Sequence, residues 1–204
     1  MLSRLLTSWR HPAASPVASD GTHYIFKSSL AGGAKQLTLT EAGLTVQATR
    51  PELWPLSSIA SIRLSYRPAS MQAWRFRADI EQASGQTIKV FSTTWHSISQ
   101  MARQDDDYRA FIVELHRRLA EAGSNVRLTA GINPVLYGAG LAAMGLIGLA
   151  IAGLFVRALV TAEFAGALFL AGFAAWFLWQ IGGFMRRNRP RRYTFDALPE
   201  DVLP

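Results

Sequence analysis

Five arginines stand in the seven positions 186–192, RRNRPRR, directly after an uncharged apolar run that ends in Phe184 and Met185. A guanidinium is a permanent cation carrying a fork of N–H donors. A cluster of them can grip a nucleic-acid backbone or lie against anionic lipid head groups. Nucleic-acid binding also asks for aromatic rings that stack on bases, and only Tyr193 directly adjoins the cluster on its C-terminal side. Its place at the end of an apolar run favours head groups, with Arg186, Arg187, Arg189, Arg191 and Arg192 as candidate contacts and no nucleic acid expected. Pro190 keeps the cluster from continuing as a helix.

Three further arginines form a second candidate site. SIRLSYR (61–67) and AWRFRADIE (73–81) alternate apolar and charged residues, the period-two pattern of half-buried strands. Ile62, Leu64 and Tyr66 face inward on the first; Trp74, Phe76, Ala78 and Ile80 do so on the second. A turn centred near residue 71 sets Arg67 beside Arg75, Ser65 beside Arg77 and Arg63 beside Asp79. Like charges so close call for an anion between them, either a lipid phosphate or an acidic partner. The alternative is a solvated face on which Arg63 pairs with Asp79.

Other chemistry finds no footing. There is no cysteine, which removes disulfides, thiolate metal sites and thiol nucleophiles. His11, His23, His96 and His116 have no paired spacing, so no metal site is expected. Asp105, Asp106 and Asp107 read as the start of a helix, supplying caps and favourable charge. No nucleophile elbow, phosphate-binding loop or dinucleotide fingerprint is present. The expectation is a non-catalytic protein without cofactor or metal.

Behind the arginine cluster lie the elements that hold it. Residues 134–156 and 164–185 contain no charged side chain. At about 1.5 Å per residue each makes a helix of roughly 33 Å, matching a hydrocarbon core of ~30 Å. A transmembrane helical hairpin over 132–185 is expected. The short loop between the helices carries only Arg157 and Glu163, while Arg117, Arg118 and Arg127 precede the first helix and five arginines follow the second. That imbalance sets both termini in the cytoplasm and the protein, multi-pass, in a bacterial inner membrane. Tyr137, Trp176 and Trp179 suit the interface, and Gln180 can reach head groups or another helix. Gly138, Gly145 and Gly148 on the first helix, and Ala167, Ala171 and Ala175 spaced by four on the second, are candidates for close helix contact. They serve either the hairpin itself or another membrane subunit, including a second copy.

The net charge of +7 divides into fifteen Lys and Arg against ten acids up to residue 130, and six Arg against four acids beyond it. This is a spread excess, and it does not call for a polyanionic partner. Residues 1–21 form a tail in which Leu2, Leu5, Leu6 and Trp9 fall at helical spacing, either frayed or lying as a short interfacial helix. Residues 22–124 form the cytoplasmic module. Within it QLTLT (36–40), EAG (41–43) and LTVQAT (44–49) make a hairpin. RPELWPL (50–56) reads as a loop and SGQTIKVFS (84–92) as a strand after a turn. A helix follows with a stripe of Tyr108, Phe111, Ile112, Leu115 and Leu119, ended by Gly123. Residues 186–204 form a basic cytoplasmic tail.

Antiparallel strands followed by one amphipathic helix, with the hairpin TLTEAGLTV leading into PLSSIASIRLS, resemble a bacterial pleckstrin-homology-like (PH-like) domain over residues 22–124. The resemblance implies an α+β fold: a strongly bent antiparallel sheet capped by the C-terminal helix, here followed by the two-helix hairpin. It also implies binding of lipid, peptide or a sister subunit rather than catalysis. Lipid-binding members carry their basic motif in the first hairpin, where this chain has only Lys35 before Glu41, a departure from the phosphoinositide-binding pattern. The resulting expectation is a membrane-anchored scaffold or accessory protein binding anionic head groups or protein. The alternative is an accessory subunit of a larger inner-membrane transport or respiratory complex, held through its hairpin.

Overall fold

The computed structural model describes residues 20–204 except 30, 48–49, 71 and 98–99; the N-terminal segment read as either frayed or a short interfacial helix lies outside them. The fold is α+β, with several sheets and three helices among the described residues. β1 (His23–Phe26), β2 (Lys35–Thr40), β3 (Gly43–Gln47) and β4 (Pro51–Trp54) make an antiparallel four-stranded meander. The stretch expected as a proline-rich loop is therefore partly strand. Pro51 is tolerated because it is the first residue of an edge strand that pairs on one side only.

Pro55 and a 3₁₀ turn at Leu56–Ser58 lead into β5 (Ile59–Tyr66), β6 (Phe76–Gln82) and β7 (Thr87–Phe91). This break gives separate sheets where one bent sheet was expected. The β5–β6 register agrees with the reading of the alternation: Arg63 opposite Asp79 and Ser65 opposite Arg77, with the Arg67 N–H donating to the Arg75 carbonyl at 2.8 Å. A further hairpin, β8 (Thr93–Ser97) with β9 (Gln100–Arg103), precedes α1 (Asp105–Glu121). Asp105, Asp106 and Asp107 occupy the first turn of α1, where negative charge is favourable, but the N-cap is Gln104, which makes no side-chain cap bond. Asp105 instead accepts from Arg103. At the other end Gly123 (φ +62) is left-handed. Ser124 N–H donates to Leu119 and Gly123 N–H to Ala120, closing the helix with a Schellman motif.

The core lies between the two main sheets and α1. Tyr24, Phe26, Leu37 and Leu44 from the first sheet meet Ile62, Leu64, Phe76 and Ile80 from the second, under Tyr108, Phe111, Ile112, Leu115 and Leu119 of the helix. Each such side chain, fully buried, contributes about 1.5–3 kcal/mol.

Chain beyond residue 124 belongs to this body as well. β10 (Arg127–Ala130) adds in parallel to β5, and β11 (Arg191–Arg192) adds to β10, giving the order β11-β10-β5-β6-β7. Between them run α2 (Pro134–Val160) and α3 (Phe164–Arg187), both long and apolar enough to cross a membrane. Pro134 stands at the first helical position of α2, and the Asn133 side chain accepts from Val135 N–H at 2.9 Å. After β11 the chain returns to the core, where Val202 and Leu203 are buried in the same cluster as the α1 stripe. The segment expected as a basic tail is thus largely part of the folded domain. Its apolar residues Tyr193, Phe195, Leu198, Val202 and Leu203 find the surface that α1 and the sheet leave open.

Candidate functional site

β10 fixes where the foot of the helix pair meets the sheet. Its last residue, Ala130, lies beside Leu64 near the end of β5, and Gly131 N–H then donates to the Leu64 carbonyl at 2.8 Å. Gly131 adopts φ +87, and a Cβ there would stand 2.4 Å from the Asn188 carbonyl oxygen and 2.5 Å from that of Arg189. Only glycine lets the entry to α2 pass so close to the exit of α3. The end of β5 and the start of β6 therefore lie beside that foot.

At this end the Phe184 ring sits 6.4 Å from Tyr66. The Arg187 guanidinium stacks 4.4 Å from the Trp74 ring centroid and 5.3 Å from that of Tyr66, a cation–π arrangement. Trp74, expected to face inward from a strand, precedes β6 and is 37% exposed at this rim. The Tyr66 hydroxyl donates to the Ala73 carbonyl at 2.6 Å, which ties the end of β5 to the chain just before β6.

The three sheet arginines sit next to it. Arg75 lies 4.0 Å over the Phe91 ring, and its Nε donates to Thr93 Oγ1 at 3.1 Å. Arg67 is half-buried, and its Nε has no hydrogen-bond partner. Loss of water, followed by the nearby positive charge of Arg77, lowers the pKa of both Arg67 and Arg75. Arg77 takes Asp79 at 2.6 Å. The alternative pairing of Arg63 with Asp79 is therefore not formed, and Arg63 is left without a carboxylate among the described residues. The arrangement concentrates partly desolvated cations, which a phosphate or carboxylate would satisfy.

The arginine cluster divides in two. Arg186 and Arg189 are exposed and Arg187 joins the aromatic rim, all at the helix foot. Arg191 instead binds Asp201, and Arg192 lies on the outer face of the sheet edge opposite Thr129. Asn188, between them, is fully buried and bonds the main chain of Tyr66. Sequence reading passed over it; an asparagine just after a helix is a stop signal, but nothing local points to its distant partner.

In the helix pair, Ala167 is buried in the seam, Ala171 lines a cleft between the helices and Ala175 is exposed. A spacing of four advances about 40° around a helix at each step, so the stripe drifts off the contact line. Positions where Gly138, Gly145 and Gly148 would carry a Cβ meet nothing within 4 Å. Gly148 lines the cleft, an apolar space of about 340 Å³ bordered also by Met144, Phe155, Leu170 and Phe177. No family model, curated protein or solved structure matches this chain.

Proposed function

We propose that this chain is a membrane-anchored, non-catalytic binding module whose PH-like domain meets anionic head groups through the rim beside the helix foot. The observation that carries the reading is the stacking of Arg187 on Trp74 and Tyr66, next to the half-buried Arg67 and Arg75. Aromatic rings and cations together suit the boundary between hydrocarbon and head groups. The PH-like reading is supported by the order of elements, two antiparallel meanders and then an amphipathic helix packed on both.

One hydrogen-bonded contact supports the proposed topology: β10 before the helices pairs with β11 after them. If α2 and α3 cross a bilayer, both flanks lie on one side, and the arginine excess makes that side cytoplasmic in a bacterial inner membrane. The test is purification of the full chain in mild detergent, with identification of bound lipid and protein. Enrichment of anionic lipid, lost in a variant with Arg67, Arg75 and Arg187 all changed to Ala, is the expected result; equal lipid in both proteins overturns it.

A second reading, an accessory subunit of a larger membrane complex, is favoured by one observation. Gly138 and Gly145, one face of α2, leave an open, close-approach surface outside the cleft that Gly148 lines with α3. A stoichiometric membrane partner in the same purification would establish that reading instead.

A further inference from the structure

On the outer face of the five-stranded sheet, away from the rim, lies a second basic feature. Cross-strand pairing sets Arg63, Thr129 and Arg192 in one row across β5, β10 and β11. Arg127, two residues before Thr129, shares their side by strand alternation. Together with Ile132, Pro134, Pro190 and Arg191 they enclose a cleft of about 290 Å³. Neighbouring strands run about 4.8 Å apart, so the cations of this face stand within one or two strand spacings of one another. Like charges so arranged repel.

The carboxylates nearby make their hydrogen bonds to other groups. Of the nearby acids, Asp79 is held by Arg77 at 2.6 Å, Glu81 accepts from Ser61 Oγ at 2.8 Å, and Asp201 is held by Arg191. Arg63, Arg127 and Arg192 form no ion pair among the described residues. Thr129 contributes a hydroxyl between them, engaged only by a long 3.5 Å contact to the Ile62 carbonyl. Three forked donors and a hydroxyl around a small cleft match the tetrahedral oxygens of a phosphate. The volume is at the lower limit of ligand pockets, which suits a phosphoryl group with little attached to it.

We infer that this cleft is a binding site for a phosphoryl group, presented either by a lipid head group or by a small free phosphate compound. The position accounts for both sources. Pro134 opens α2 and Pro190 follows α3, so the cleft adjoins the helix foot, and it is built from β10 and β11, the strands that flank the helix pair. The site is distinct from the Arg67–Arg75–Arg187 rim, and its occupancy by a free anion does not require a bilayer.

The test uses the full chain in uncharged detergent, titrated calorimetrically with inorganic pyrophosphate, and the same chain in phosphatidylcholine vesicles with or without phosphatidic acid. The variant carries Arg63→Gln and Arg127→Gln, and Lys89→Gln on the same sheet is the control. Saturable pyrophosphate binding, at least about tenfold weaker in the double variant and unchanged in the control, supports the site with a free anion as its occupant. No pyrophosphate binding, but a melting temperature that phosphatidic acid in the vesicles raises for the wild type and not for the double variant, supports it with a lipid head group. Equal behaviour of double variant and wild type in both arms, or response in neither, overturns it. Folding is checked within the experiment, because removing unpaired like charges should leave the unliganded melting temperature level or raised.

Discussion

Asn188 turns its carboxamide onto the main chain of Tyr66, 122 residues earlier: Nδ2 donates to the Tyr66 carbonyl at 2.9 Å and Oδ1 accepts from the Tyr66 N–H at 3.1 Å. β10 has left β5 after Leu64, and the amide side chain stands where the next strand partner would be. Asn188→Leu keeps the branched shape, in a somewhat larger side chain, and removes both bonds. With a buried N–H and carbonyl stranded, the domain should lose about 2–4 kcal/mol, measured by thermal unfolding in detergent. An unchanged melting temperature would show that the helix exit is not fastened here.

Gly131→Ala attacks the same fastening from the backbone. Its new Cβ would meet two main-chain oxygens at 2.4 and 2.5 Å, in a φ that alanine disfavours. Nothing flexible is available to yield, so a loss of at least about 2 kcal/mol is expected. Combined with Asn188→Leu, the loss should fall short of the sum, because both changes release one contact. Full additivity in a double-mutant cycle would separate the two.

Acid should unfold the soluble part in an assignable window. His116 Nδ1 lies 2.7 Å from the Ile112 carbonyl, which can only accept, so Nδ1 carries the proton and Nε2 accepts from the Tyr193 hydroxyl at 2.8 Å. Burial lowers its pKa from 6.5 to about 4, so the folded protein holds this ring neutral. Above pH 6.5 both states are neutral and stability is complete; as pH falls toward 4 the unfolded chain binds a proton that the folded one refuses. The loss should approach about 3 kcal/mol, and His116→Phe should flatten that part of a stability-versus-pH curve. Glu114, held down to about 2 chiefly by its hydrogen bond with Arg117, adds a separate loss below pH 4.5. A curve flat between pH 6.5 and 4.5 in the wild type would contradict the assignment.

The seam between α2 and α3 discriminates between residues that looked equivalent. Ala167→Leu inserts three carbons into a buried contact and should separate the helices, at about 1–3 kcal/mol. Ala175→Leu faces outward and should leave the hairpin unchanged. Melting of the purified protein in detergent gives the comparison, and equal effects would refute the observed helix rotation.

The absence of native cysteine makes topology directly measurable. Ala162→Cys in the inter-helix loop and Ser84→Cys in the β6–β7 turn should react with an impermeant maleimide from opposite sides of a sealed vesicle. Labelling of both from one side would exclude a spanning hairpin.

What the sequence disclosed follows physical range. The β5–β6 register was legible because alternation and a short connection constrain it locally. The helix pair was legible because a helix of a soluble protein rarely runs a membrane's width without a charge on any face. β10 was not: RLTA is too short to carry a period, and its partner on β5 lies more than sixty residues away. Asn188 and the Val202–Leu203 anchor share that opacity, since each meets its partner across the whole helix pair. The Arg63–Asp79 alternative failed for a subtler reason: register brings both aspartate neighbours within reach, and only side-chain geometry decides that Arg77 takes it. Arg63 is thereby released to the cleft, which no spacing rule would have assembled.

The return of the chain to the core has a consequence for the order in which the protein can be completed. β11, Tyr193, Val202 and Leu203 are synthesised after both apolar helices, yet they close the edge and the base of a domain whose other strands emerge first. A ribosome that has released β10 has delivered an open body, lacking its last strand and two of its core side chains. Closure waits until α2 and α3 have been made and turned back, so the finished fold itself records that the hairpin has formed.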